Sequence, residues 1–253
     1  MDAAGELRST SVRRALVRSR AQLTYTQVVE HVCEGEKLFA GHDWAASLPL
    51  MRRFGELRRK IEAERGGVSI PLASQHVTQL TARRLGYTLE FEIPVASEEW
   101  NEQVSLLTGH AAALAMLEAR VGMVRVMGAP EPGAIEAFRR AARTMGFTWP
   151  GGMSYPDFIR SLDVSHPRIT SLLWQARRVN RGADYLAFDG ELPADHLHHA
   201  LAMPYAHVTA PLRRLADRYV LELLVRLFAG ERPTEDEVHT LRRLPPLMDE
   251  AER

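Results

Sequence analysis

Apolar residues recur at three- and four-residue steps through most of the chain and alternate in only a few short stretches. This predicts a helix-rich mixed α/β (α+β) architecture with a few strands. After Thr24, the positions Val28, Val29 and Val32 share one helical face, which predicts a first helix ending at Gly35. Leu48, Met51, Phe54, Leu57 and Ile61 predict a longer helix over about 43–65, broken by Gly66-Gly67. Another is expected over about 98–120. It would carry Trp100, Val104, Leu107, Ala111, Leu114 and Leu117 inward, with Ser97 as its cap and Glu98 and Glu99 beside its positive N-terminal end. Shorter helices are expected near 133–145, 155–163 and 167–180.

Tyr87 to Ile93 alternates cleanly and stops at Pro94, which predicts a strand with one buried face. Tyr185-Leu186-Ala187-Phe188 predicts a further strand. In the first twenty residues, Val12, Ala15 and Val17 alternate among Arg13, Arg14 and Arg18 and suggest one or two more. A helix is expected from Pro211 to Phe228, then a last one opened by the Thr234-x-x-Glu237 capping box and interrupted at Pro245-Pro246. No repeat or linker divides the chain, so residues 1–230 read as one domain and 231–253 as a helical tail.

The 253 residues and 45% hydrophobic content suffice for a sizeable core. A formal charge of zero argues against a uniformly basic nucleic-acid binder and requires any such site to be local. No apolar run is long enough to span a bilayer and no signal peptide is evident, so a cytoplasmic protein is expected. Cys33 is the only cysteine, which excludes an internal disulfide. The only lysines are Lys37 and Lys60. Arginine supplies the remaining positive charge, either to contact phosphate through paired hydrogen bonds or as a consequence of GC-rich coding.

The chemistry concentrates in Tyr205-Ala206-His207-Val208-Thr209-Ala210-Pro211-Leu212-Arg213-Arg214-Leu215-Ala216-Asp217. Pro211 suits a first helical turn and Thr209 could cap it, which would place Arg213 and Asp217 four apart on one face. Guanidinium groups near a helix start form a seat for phosphate; a solvated surface ion pair is the competing explanation. His196, His198, His199 and His207 could suggest a metal centre, but no cysteine or carboxylate cluster accompanies them, so no metal site is assigned.

This stretch resembles the Tyr-x-His-Phe-Thr-Ser-Pro-Ile-Arg-Arg-Tyr-x-Asp signature of the ribonuclease II and R family, whose catalytic module is the RNB domain. Further segments follow in the family's order. Arg20-Ala21-Gln22-Leu23-Thr24-Tyr25 is similar to its Arg-Leu-Thr-Tyr segment, and Glu64-Arg65-Gly66-Gly67-Val68-Ser69 to its Glu-Arg-Gly-Gly-Ile-Ser turn. Glu102 to Thr108 is similar to its Glu-x-Met helix, and Val121 to Arg125 to its Gly-Leu-Tyr-Arg segment. The resemblance covers roughly residues 2–230.

What the resemblance implies is a 3′-to-5′ exoribonuclease that hydrolyses single-stranded RNA to nucleoside monophosphates with Mg²⁺, without a preference for DNA. It makes Arg213 the catalytic arginine at the scissile phosphate and casts Tyr25, Glu102, Arg214 and Arg125 as RNA-binding residues. Tyr25 and Glu102 would distinguish ribose from deoxyribose, because a carboxylate can accept a bond from the 2′-hydroxyl. His207, Thr209, Pro211 and Asp217 would support the turn. The family's Asp-x-x-Asp-x-Asp-Asp cluster, which holds Mg²⁺, has no counterpart here; Asp2, Asp43, Asp157, Asp163, Asp184, Asp189 and Asp195 stand singly. The expectation is therefore the C-terminal part of such an enzyme, inactive alone, whose acidic half is carried either by upstream sequence or by a separate polypeptide. A non-catalytic RNA-binding remnant or degenerate fragment is the alternative. Leu221, Glu222, Met127 and Ile70 also depart from the family's pattern.

Overall fold

The computed structural model describes all residues except 34–37, 80–85, 93 and 252–253. The expected stop at Gly35 and the strand end at Ile93 lie outside the described residues. In chain order the elements are α1 (Tyr25–Cys33), α2 (Ser47–Glu64), β1 (Ser74–Gln79), β2 (Tyr87–Glu92), α3 (Ala96–Ala119), β3 (Val121–Val126), α4 (Pro132–Thr144), α5 (Tyr155–Arg160), α6 (Ile169–Ala176), β4 (Asp184–Asp189), β5 (Leu197–His198), β6 (Met203–Pro204), α7 (Leu215–Phe228) and α8 (Glu235–Ala251).

α3 is the spine of this mixed α/β fold. Its N-terminal half packs on α1 and α2 around Val28, Leu48 and Trp100. A Cβ added to Gly55 would lie 2.6 Å from Trp100 Cα, so only glycine permits this crossing of α2 and α3. The C-terminal half buries Ala112, Ala113 and Met116 against β3 and its antiparallel partner β4, paired from Val121 opposite Asp189 to Val126 opposite Asp184. α7 and α8 contribute Val220, Leu223, Leu224, Leu241 and Leu244 to the same core. A second core, around Phe138, Phe158 and Leu172, joins α4, α5 and α6.

Several expectations are corrected. No strand forms in the first twenty residues: Leu16 and Val17 are fully exposed, and no described strand lies alongside to supply a hydrogen-bond ladder. α2 starts at Ser47, after turns over 43–46. Ser97 is buried and donates to the Tyr25 carbonyl at 2.7 Å instead of capping α3; Val95 is the cap residue, and its N–H is accepted by Glu98 at 3.0 Å. Val104 and Leu114 are exposed, because α3 turns Gln103, Leu106 and Ala113 inward.

β2 pairs with β1 in a hairpin whose residues are largely exposed on both faces, Leu89 and Phe91 included. Alternation disclosed an apolar face but not whether anything covers it. α8 runs through Pro245 and Pro246, with Leu241 and Leu244 anchored in the core offsetting the missing backbone donors. The Thr234–Glu237 capping box forms reciprocally, Thr234 N–H to Glu237 at 2.7 Å and Glu237 N–H to Thr234 at 3.3 Å.

Candidate nucleic-acid interface

The expected helix at Pro211 begins four residues late. Arg213 and Arg214 N–H both donate to the Ala210 carbonyl, at 3.2 and 3.0 Å, so residues 210–213 close a turn with Pro211 at its second position. Pro211 fits a turn there as well as a helix start, because both use its fixed φ. The cap residue of α7 is then Arg214, and Thr209 does not cap the helix.

The shift changes which arginine meets Asp217. Asp217 is fully buried in the first turn of α7 and is bonded by Arg214, with Nε and Nη2 each donating at 2.9 Å. Its carboxylate also accepts the Ala210 N–H at 2.6 Å, clamping turn to helix. The expected Arg213–Asp217 pair does not form. Arg213 is exposed, and among the described residues no side chain pairs with its guanidinium.

Arg125 on β3 lies beside this turn. Its guanidinium sits 4.3 Å from the ring centroid of Tyr185, its cross-strand partner on β4. The Tyr185 hydroxyl is 2.6 Å from His207 Nδ1. The His207 pKa is lowered to about 4, first by burial and then by the charges of Arg214 and Arg125. His198, near Arg125, is also lowered to about 4, chiefly by burial. Both rings are therefore neutral at physiological pH.

Tyr25 of α1 and Glu102 of α3 meet elsewhere, in a cleft of about 340 Å³ that is also lined by Arg59, Ile70 and Asn101. Asn101 donates to the Tyr25 hydroxyl at 3.1 Å, fixing an aromatic ring that is 44% exposed. Glu102 is exposed at the cleft wall, and its carboxyl is pushed above the usual range by partial desolvation and by the charges of Glu62 and Glu99. Arg59 is engaged by Glu99. Sequence reasoning missed Asn101, Arg59 and Tyr185; Asn101 adjoins Glu102, but no spacing rule pointed to the other two.

The two regions are tied together through the backbone. A Cβ on Gly109 of α3 would lie 2.2 Å from the Tyr205 ring, so a glycine admits the signature tyrosine against the helix. The Glu64-to-Ser69 turn binds the loop before the signature: Arg65 Nε donates to the Leu201 carbonyl at 2.8 Å and Val68 N–H to that of Ala200 at 2.7 Å. From the same turn, Ser69 donates to Glu62 at 2.8 Å and lines the Tyr25–Glu102 cleft.

Mg²⁺ does not fit this residue set. Among the described residues no three His, Cys, Asp or Glu side chains are grouped to hold a metal, and the signature carboxylate Asp217 is occupied by Arg214 and a backbone N–H. Among the described residues, no helix is long and apolar enough to cross a membrane.

A search of curated proteins gives no significant match. Among solved structures the chain is similar to Mycoplasma genitalium RNase R in complex with ribose-methylated single-stranded RNA, with a TM-score of 0.67 and 16% identity over 87% of this chain and 34% of that one. It is also similar to yeast Ssd1, described as a pseudonuclease, with a TM-score of 0.57, 16% identity and coverage of 87% of this chain and 27% of that one. The Dss1 exoribonuclease of Candida glabrata gives a TM-score of 0.57 and 13% identity over 87% of this chain and 27% of that one. The chain thus spans about a third or less of these proteins, and at such identities the likeness concerns the fold. The RNB domain family model matches residues 1–230, and the chain belongs to that family.

Proposed function

We propose that the chain grips single-stranded RNA as the RNA-binding portion of a 3′-to-5′ exoribonuclease site. In this reading Tyr25 stacks on a base, Glu102 accepts a ribose 2′-hydroxyl, and Arg213, with Arg125 and Arg214 behind it, holds phosphate. The observation that carries the reading is the meeting of Tyr25 and Glu102, distant in sequence, in one cleft with Asn101 fixing the tyrosine. The exposed Arg213, unneutralised among the described residues, supports the phosphate role. The solved complex of M. genitalium RNase R with single-stranded RNA supports RNA as the ligand.

Hydrolysis to nucleoside monophosphates requires metal-binding carboxylates that the described residues do not assemble. We assign these to the acidic half of the domain, on upstream sequence or a separate polypeptide, so residues 1–253 alone bind RNA without cutting it. Ssd1, a pseudonuclease of related fold, favours a second reading in which binding is the whole activity.

Incubating the purified chain with 3′-accessible single-stranded RNA, in Mg²⁺ and in chelator, alone and mixed with an acidic RNB-domain fragment, tests both. No shortening alone and Mg²⁺-dependent shortening in the mixture is the result expected. Shortening by the chain alone would contradict the metal assignment, and inactivity of the mixture would favour binding as the whole activity.

A further inference from the structure

We propose that Tyr185 is a positioning residue for phosphate binding, which holds the Arg125 guanidinium and the His207 ring in one orientation beside the signature turn. This rests on the RNA-binding reading above. The resemblance to the RNB signature did not include Tyr185, which stands outside both the Tyr205–Asp217 stretch and the Val121–Arg125 segment.

The β3–β4 register sets Tyr185 opposite Arg125, and the guanidinium lies over its ring at 4.3 Å. An arginine laid on an aromatic face has lost most of its rotamer freedom yet keeps its N–H edge for an anion. Among the described residues no carboxylate pairs with Arg125, so its charge is not already neutralised. The other end of Tyr185 reaches His207 Nδ1 at 2.6 Å.

His207 is also held by a second ring. Its ring stands edge-on to Tyr205, 5.5 Å between centroids and 87° between planes, and Tyr205 is itself pinned because its carbonyl accepts the Arg125 N–H at 2.7 Å. The charged and titratable groups around His207 are Arg214, Arg125, Asp217 and His198. With two guanidiniums close by, a third positive charge is disfavoured. A neutral ring that takes the phenol O–H at Nδ1 carries its own proton on Nε2. Tyr185 thus couples a strand arginine to the signature histidine without touching the phosphate itself.

The test is fluorescence anisotropy of a labelled single-stranded oligoribonucleotide against salt, for the wild-type protein, Tyr185→Leu, Arg125→Ala and the double variant. Tyr185→Leu removes the ring beneath Arg125 and the hydroxyl at His207, and its fold is checked by circular dichroism and the thermal midpoint. It is expected to weaken binding about fivefold and to reduce the log–log salt slope by up to about 0.7, the share of one single-strand phosphate contact. The double variant should bind no more weakly than Arg125→Ala alone, since the two act through one contact. ¹⁵N spectra of His207 should show Nδ1 unprotonated in the wild type and a tautomer mixture in Tyr185→Leu. Wild-type-like binding by Tyr185→Leu while Arg125→Ala is impaired, or additive losses in the double variant, would overturn the proposal and leave RNA binding intact. Absence of binding by the wild type would remove the RNA reading, and this proposal with it.

Discussion

Asp217 and Glu102 are both carboxylates of the candidate interface, and the protein treats them in opposite ways. Asp217 is buried, clamped by Arg214 and the Ala210 N–H, and leaves no oxygen for a ligand. Glu102 stands exposed at a cleft wall beside Glu62 and Glu99 with no ion-pair partner among the described residues. A buried, paired carboxylate is architecture: it fixes the turn that displays Arg213. A carboxylate repelled by its neighbours has hydrogen-bonding capacity left for a hydroxyl. The signature region is thus built to hold a cation still, and the cleft to keep an acceptor free.

The sharpest way to break this contrast is Asp217→Asn, which leaves Arg214 beside an amide in a buried site. It should destabilise the fold by about 3 kcal/mol or more, measured by chemical denaturation. Arg213→Ala comes next. It should leave stability within about 0.5 kcal/mol of wild type, since the side chain is exposed, but weaken RNA binding about tenfold and lower the salt slope by about 0.7.

Glu102→Ala should narrow the preference for RNA over DNA of the same sequence about fivefold, read by competition binding. Glu102 also leaves a signature in pH. Because its folded pKa is raised, the folded protein keeps a proton that the unfolded chain has released. Stability therefore falls as pH climbs from the ordinary value of 4.5 to the raised one, and stays lower above it. Glu102→Gln should remove that part of the slope in denaturation curves taken across pH. The smallest effect is expected on the exposed β1–β2 hairpin, where Phe91→Ser should change stability by less than about 0.5 kcal/mol.

How far these differences could be read from the residues varies with what fixes them. The helical periodicities of α1, α2 and α3 locate the helices and some of their buried residues, Val28, Leu48 and Trp100 among them, but Val104 and Leu114 are exposed, while the capping box of α8 is a local hydrogen-bond pattern written into Thr234 and Glu237. The start of α7 was misplaced because Pro211 serves a turn as well as a helix, and a four-residue delay exchanges Arg213 for Arg214 as the partner of Asp217. β3 went unnoticed as a strand because its Val-Gly-Met-Val run is buried on both sides and shows no alternation. Arg59 and Tyr185 belong to contacts between elements far apart in sequence. No local pattern encodes those.

Equilibrium binding of single-stranded RNA and of DNA with the same sequence, by the wild-type chain and Arg213→Ala, bears most directly on the interface. Salt-sensitive binding that is tighter for RNA and weakened about tenfold by Arg213→Ala is the predicted result. Equal affinity for both nucleic acids, or RNA binding untouched by Arg213→Ala, would contradict it.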